Sequence, residues 1–260
     1  MDTKIDRIGE ENYNNEGTLM RIVGYKNAND ILIEFQDEYK VKVYTTYKSF
    51  KNGNIKNPYH KSVFNIGYLG QGKYKMSEKG KHTKAYKVWT SMLERCYDPY
   101  YLNKEPTYID CYVCKEWHNF QNFCKWWEEN VYNCNNERMC LDKDILCKGN
   151  KIYSPENCII VPQRINNLFT KSNATRGKYP IGVSWDKRIN KFSANCGIYD
   201  KNENKSKVKR LGYYNSVEET FEVYKNFKED YIKQVADEYY NIIPRELWKA
   251  MYEYEVEIDD

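Results

Sequence analysis

Leu141-Asp142-Lys143-Asp144-Ile145-Leu146 is followed by Tyr153-Ser154-Pro155-Glu156-Asn157-Cys158 and then by Ile165-Asn166-Asn167-Leu168. The first stretch reads as a short strand carrying acids, the second as a loop carrying an amide, and the third as a helix carrying another amide. Asp142 and Asn166 stand 24 positions apart. An acid and an amide so placed are candidates to share one divalent cation, and such hard oxygen donors suit Mg2+ or Mn2+. Asn157 is placed to hold the strands in register. The plainer alternative is that Asp142 and Asp144 cap and solubilise a strand while Asn157 and Asn166 satisfy backbone groups.

Outward from this stretch the chain separates into blocks. Residues 1–75 alternate in strand fashion, through Met20-Arg21-Ile22-Val23, Ile31-Leu32-Ile33-Glu34-Phe35 and Lys40-Val41-Lys42-Val43-Tyr44. Asn27-Ala28-Asn29-Asp30 and Asp37-Glu38 supply turns, so this block is expected to be a small antiparallel barrel or sheet, SH3-like in kind. Its role is either nucleic-acid binding or protein interaction. A Gly/Lys linker from Lys75 to Lys84 leads into the central block, 76–172. There Ala85, Val88, Trp89, Met92 and Leu93 recur at helical spacing, ending before Pro99. Trp117, Phe120, Phe123, Cys124 and Trp127 give a second helix its core stripe. Residues 173–243 hold three strand-like runs and a helix opened by Ser216, with Glu219 completing a capping box. An acidic tail, 244–260, closes the chain. The fold class read from this order is α+β.

Two resemblances follow from these residues. The Leu141–Leu168 segment resembles the ββα-metal core of the HNH homing endonucleases, in which a cation polarises the scissile phosphate and a histidine takes a proton from the attacking water. The resemblance implies that Asp142 and Asn166 are metal ligands and that Asn157 orients the site. Lys143 stands where the family carries its signature histidine. Lysine ordinarily titrates near pH 10.4 and carboxylates flank it here, so it is a poor base. It would instead stabilise charge developing on phosphorus, with water activated by the metal alone, by Asp144 or by His118. The run Gly182-Val183-Ser184-Trp185-Asp186, Lys191-Phe192-Ser193-Ala194, Lys209-Arg210-Leu211-Gly212 and Ser216-Val217-Glu218-Glu219 resembles the AP2 DNA-binding domain. That resemblance places a three-stranded sheet in the major groove of double-stranded DNA, with Trp185, Lys187, Arg188, Lys191, Lys209 and Arg210 nearest the bases and phosphates.

Charge agrees with a polarised molecule. The whole chain of 260 residues carries only +4, but Lys171–Gly212 holds 11 basic and 3 acidic side chains, and Tyr214–Asp260 holds 5 basic and 13 acidic. Hydrophobic content of 41% against 30% charged allows a core and excludes wholesale disorder. The 26 tyrosines combine apolar area with a polar tip, though an AT-rich genome alone enriches tyrosine. No signal peptide or membrane-spanning run is read, and nine irregularly spaced cysteines fit reduced thiols, so the expected location is the cytoplasm. Cys111-Tyr112-Val113-Cys114 is a lone CxxC, so structural zinc is not expected. His60, His82 and His118 have no paired spacing.

Three functions compete. The first is a sequence-directed, metal-dependent DNA endonuclease of phage HNH type. The second is a DNA-binding protein on an inactive nuclease core. The third is a phage counter-defence protein that binds a host defence protein, with Glu253, Glu255, Glu257, Asp259 and Asp260 mimicking phosphates.

Overall fold

The computed structural model describes residues 6–170, 177–200, 203 and 205–258. Lys171, Arg176 and Lys201 of the basic block, and Asp259 and Asp260 of the acidic segment, lie outside the described residues. The chain is α+β, built of several small sheets with helices. It divides into two compact units, one of residues 1–101 with 113–127, the other of 102–112 with 128–260. The first block therefore lies wholly in one unit, and the central block is shared between the two. Among the described residues no helix is long and apolar enough to cross a membrane.

The first unit begins with β1 (Glu11–Tyr13), β2 (Leu19–Asn27), β3 (Asp30–Phe35) and β4 (Lys42–Thr45), which form an open antiparallel sheet in that order. In β3 every second residue, Ile31, Ile33 and Phe35, is buried, and Met20 and Ile22 of β2 join them. Helix α1 (Tyr47–Lys51) closes this core with Phe50, and Thr46 caps it by accepting from the Ser49 amide. Next come β5 (Ser77–Glu78), β6 (Lys81–His82) and α2 (Lys84–Tyr97). A linker is expected at Lys75–Lys84, but a hairpin stands there instead. Lys79 and Gly80 both take positive φ, which is what a two-residue hairpin turn needs. Helix α2 buries Ala85, Trp89, Met92 and Leu93, the apolar face read from the sequence.

Helix α3 (Pro99–Lys104) and β7 (Tyr112–Val113) precede α4 (Phe120–Asn130). The first-unit part of α4 buries Phe120, Phe123, Cys124 and Trp127. Trp89 donates to the Trp117 carbonyl at 2.7 Å, which ties α2 to the turn before α4. The His118 Nε2 is engaged here, 3.1 Å from the Val113 carbonyl, and burial pushes the imidazole pKa down.

The second unit carries β8 (Met139–Asp142), β9 (Ile152–Tyr153), β10 (Ile159–Pro162) and α5 (Gln163–Leu168). β8 and β10 pair antiparallel, with Asp142 opposite Ile159, and α5 packs on both. Then β11 (Val183–Asp186), β12 (Lys191–Asp200) and β13 (Lys205–Tyr214) form an antiparallel sheet in chain order. Helix α6 (Val217–Glu238) lies on that sheet, its start capped by Ser216 accepting from the Glu219 amide at 3.2 Å. Gly182 has φ +79, and a side chain there would collide with the Tyr224 ring of α6, so the Gly-Val start is a packing requirement.

The N-terminal half of α6 buries Phe221 and Tyr224 against Val183 and Cys196 of the sheet. Its C-terminal half buries Ile232, Val235 and Ala236 against Ile159, Val161, Ile165 and Leu168 of the ββα element. One helix thus serves two cores.

The expected acidic tail is a folded element. Helix α7 (Arg245–Tyr252) returns onto α6 with Leu247 and Met251 fully buried, and Val256 joins the core under the sheet. Lys148 pairs with Glu257 at 2.8 Å and donates to the Glu255 carbonyl, and Glu229 accepts from the Val256 amide. Truncation after Pro244 would therefore expose the lower half of α6. Leu247→Ala should cost about 2–5 kcal/mol, the usual range for deleting a buried leucine side chain. Urea unfolding of the full chain measures it, and a loss under about 0.5 kcal/mol, the level of an ordinary surface substitution, would refute this packing.

Candidate active site and nucleic-acid interface

The strand that carries the acids ends sooner than its sequence suggests. β8 stops at Asp142 because the Asp142 Oδ1 accepts from the amides of Asp144 (2.9 Å) and Ile145 (2.8 Å), which turns the chain out of the sheet. Lys143 and Asp144 therefore belong to a loop. The Asp142 Oδ2 makes no hydrogen bond with a described residue. Burial, with the neighbouring Asp144 charge, pushes the Asp142 carboxyl up to about 6, against the opposing pull of its two amide donors and of Lys143.

Lys143 is buried, and its Nζ is committed on two sides. It pairs with Asp144 Oδ2 at 2.9 Å and donates to the Asn150 carbonyl at 2.8 Å. Burial acts to lower its pKa, but the Asp144 charge and hydrogen bond outweigh it and raise the pKa, so Lys143 is a fixed ammonium. It is no proton acceptor near neutrality, in line with the sequence reading. Asp144 is half exposed and is engaged as the counter-ion. Lys143 is thereby no free base, whereas Asp144 Oδ1 makes no hydrogen bond with a described residue.

Asn150, not singled out in the sequence, organises this loop. Its Nδ2 donates to the carbonyls of Lys143 (2.7 Å) and Ile152 (2.8 Å), and its Oδ1 accepts from the Ile152 amide at 3.1 Å. The signal was local, since Lys148-Gly149-Asn150 is a turn tripeptide with Gly149 at φ +80. Asn157 holds the next loop, donating from Nδ2 to Ser154 Oγ at 3.1 Å while its own amide reaches the Ser154 carbonyl.

Asn166 is half-buried on α5, and its side chain makes no hydrogen bond with a described residue. Two positions earlier, Arg164 pairs with Glu238 of α6 at 2.7 Å. Its guanidinium lies 5.1 Å from the ring centre of Tyr199 and 5.5 Å from that of Tyr239. The helix bearing Asn166 is thus clamped to α6 and to β12. Arg164 was also missed, because a lone arginine in a short amphipathic stretch gives no pattern.

Asp142 and Asn166 offer oxygen donors of the kind a hard divalent cation takes. Asp142 keeps one oxygen unengaged, Asn166 keeps its amide unengaged, and a raised carboxyl pKa is what a cation nearby would relieve. Among the described residues no group of three or more His, Cys, Asp or Glu side chains converges as a metal cage, so any such ion would take its remaining ligands from water or substrate.

The three-stranded sheet divides the six expected DNA-contacting residues. Directly opposed residues of an antiparallel pair share a face. Lys209 opposes Cys196, which is buried under α6, and the Lys209 Nζ lies 4.6 Å from the Phe227 ring of that helix. Trp185 opposes Phe192 and packs on it at 4.7 Å. Both therefore belong to the helix side, which corrects their expected place on the DNA side. The strand period of two hides this: adjacent Lys209 and Arg210 must point to opposite faces.

On the face away from α6 stand Lys191, Asn195 and Arg210, with Ser184 and Ser193 beside them. Asn195 Nδ2 donates to Ser184 Oγ at 3.1 Å and to Ser193 Oγ at 3.1 Å, which fixes a polar surface across two strands. Arg210 lies over the Tyr213 ring at 5.0 Å. Lys187 and Arg188 occupy the β11–β12 turn. Arg188 grips Asp186 with Nε and Nη2 at 3.1 and 2.8 Å, and this holds the Asp186 carboxyl down near 2.

No protein-family model, curated protein or solved structure matches the chain. The reading of the site therefore stands on its residues.

Because Lys143 is enclosed and Asp144 is half exposed, removing the acid should leave a buried ammonium with one carbonyl partner. Asp144→Ala should destabilise the second unit, by less than the roughly 3–5 kcal/mol typical when a fully buried pair loses one partner. Chemical denaturation with Lys143→Met as the companion variant tests this. The apolar replacement should be the better tolerated of the two, and the reverse order would deny Lys143 its structural place.

Proposed function

We propose that the chain is a DNA-directed, metal-dependent phosphodiesterase of the HNH type, with Asp142 and Asn166 as ligands of Mg2+ or Mn2+ and the open face of the β11–β13 sheet as its DNA reader. The observation that carries the reading is the β8–β10–α5 element. It sets an acid at a strand end and an unengaged amide on the helix packed against that strand. When bound, the cation would supply polarisation of a phosphodiester oxygen. The chain's own residues contribute the rest. Asp142 is held in place by two amides, Asn157 and Asn150 fix the two loops beside it, and Arg164 locks the ligand-bearing helix.

A second reading has a specific observation behind it. In the second unit the position of the family's histidine is filled by a lysine bound into an ion pair. This favours a DNA-binding protein built on the same frame without cutting. The counter-defence reading gains no such support, because the acidic segment is engaged within the fold through Lys148, Glu229 and the buried Leu247 and Met251.

Supercoiled plasmid incubated with the protein and Mg2+ or Mn2+ separates the two. Nicking should depend on the metal, stop with EDTA, and fall by more than about 100-fold in Asp142→Ala and Asn166→Ala, beyond the 10–100-fold typical of residues that only support a metal ligand. Absence of nicking on several substrates, with DNA binding intact, transfers the conclusion to the second reading.

The faces of the sheet make a separate forecast. Arg210→Ala and Lys191→Ala should each weaken duplex binding and flatten its salt dependence by about one unit of slope, whereas Lys209→Ala should leave that slope unchanged. Equal effects from Lys209 and Arg210 in a binding titration would reject the open face as the reader.

A further inference from the structure

The hairpin β5–β6 and the start of α2 gather positive charge, most of it outside any ion pair among the described residues. Residues 73–87 contain six lysines, Lys73, Lys75, Lys79, Lys81, Lys84 and Lys87, against one acid, Glu78. Lys75, Lys79, Lys81, Lys84 and Lys87 are exposed and make no ion pair with a described carboxylate. Three other lysines of this unit do pair, although Lys48, Lys56, Lys61 and Lys115 make no ion pair with a described carboxylate. Lys26 meets Asp30, Lys42 meets Glu34 and Lys51 meets Glu10.

The cluster is also held in shape. The positive φ of Lys79 (48°) and Gly80 (75°) makes a tight two-residue turn, with Glu78 paired to Lys81 and Ser77 to His82. Thr83 anchors the ribbon to the helix, since its amide donates to the Met76 carbonyl at 3.0 Å and its hydroxyl caps α2 through the Tyr86 amide at 3.2 Å. The His82 ring packs 4.8 Å from Tyr86. The first turn of α2 then holds Lys84 and Lys87 and no acid. Cations at a helix N-terminus oppose the helix dipole, so folding alone gives no reason for this placement. An anion sitting there would gain from the lysines and from the dipole together.

We propose that the β5–β6 hairpin with the first turn of α2 is a second DNA-docking element, a basic ribbon that grips the phosphate backbone of duplex DNA without reading its sequence. It rests on DNA being this chain's ligand and adds a contact in the first unit to the reader sheet in the second. A narrow two-stranded ribbon suits a groove edge, and exposed lysines act there by displacing counter-ions.

The test uses the full chain and a labelled duplex of about 20 base pairs, titrated at several salt concentrations. A variant with Lys75→Gln, Lys81→Gln, Lys84→Gln and Lys87→Gln should bind at least about fivefold more weakly near 100 mM salt, with the slope of log affinity against log salt flatter by about two to four. The corresponding Lys→Arg variant should keep the wild-type slope. Binding with an unchanged slope in the Gln variant overturns the proposal. If Lys191→Gln with Arg210→Gln flattens the slope while the ribbon variant does not, the sheet stands and the ribbon falls. Wild-type protein with no duplex affinity at low salt brings down both. Should the Gln variant fail to fold, lysine acetylation of wild-type protein with and without duplex decides. Protection of Lys75, Lys79, Lys81, Lys84 and Lys87 by DNA supports the ribbon, and equal labelling overturns it.

Discussion

The second unit depends on a single seam, the buried face of α6. A helix of 22 residues spans about 33 Å at 1.5 Å per residue, long enough to lie under two different elements. Phe221 and Tyr224 serve the three-stranded sheet, and Ile232, Val235 and Ala236 serve the ββα element. Neither partner is large enough to close a core alone. β8 and β10 have four residues each and α5 only six, and sheets this small need a helix to cover them. A break inside α6 would therefore disturb the candidate metal centre and the candidate reader together, although they are separate in sequence. The helix also carries polar fastening. Glu238 holds Arg164, Tyr239 donates to Glu137 at 2.6 Å, and Tyr252 of α7 donates to Asp237.

Much of this was legible because it was periodic. Ile31, Ile33 and Phe35 alternate, Trp89, Met92 and Leu93 follow a helical stripe, and Ser216 with Glu219 announces the start of α6. Each of these signals is short-range and depends on little beyond the residues that carry it. What stayed hidden was set by neighbours distant in sequence. Leu247 and Met251 are a helical pair one turn apart, but they sit among glutamates, and their burial is decided by the surface that α6 presents. The β5–β6 hairpin lacks the Asn-Gly signal of a tight turn and has strands of two residues, so its lysines look like a linker.

The candidate site was legible in its layout and less so in its directions. Asp142, Asn157 and Asn166 fall on strand end, loop and helix as their spacing suggested. The directions of Lys143, Trp185 and Lys209 did not follow. For the last two, strand parity relative to α6 decides the face, and that parity is invisible until the helix is placed.

Lys143 is the instructive case. Asp142 terminates its strand by capping the next two amides, and this swings Lys143 into a buried position where Asp144 and the Asn150 carbonyl receive its ammonium. A lysine so enclosed is costly to discharge, so the side chain that follows the acid has become structural support for the loop. Under the proposed function the chemistry of the element would fall to Asp142 and Asn166. Burial, and after it the Asp144 charge, raises the Asp142 carboxyl toward 6, and of these two the Asp144 charge would also favour a cation beside it. The half-buried ion pair thus holds the loop in place, while in the proposed function the unengaged oxygen of Asp142 is the one that would meet the cation.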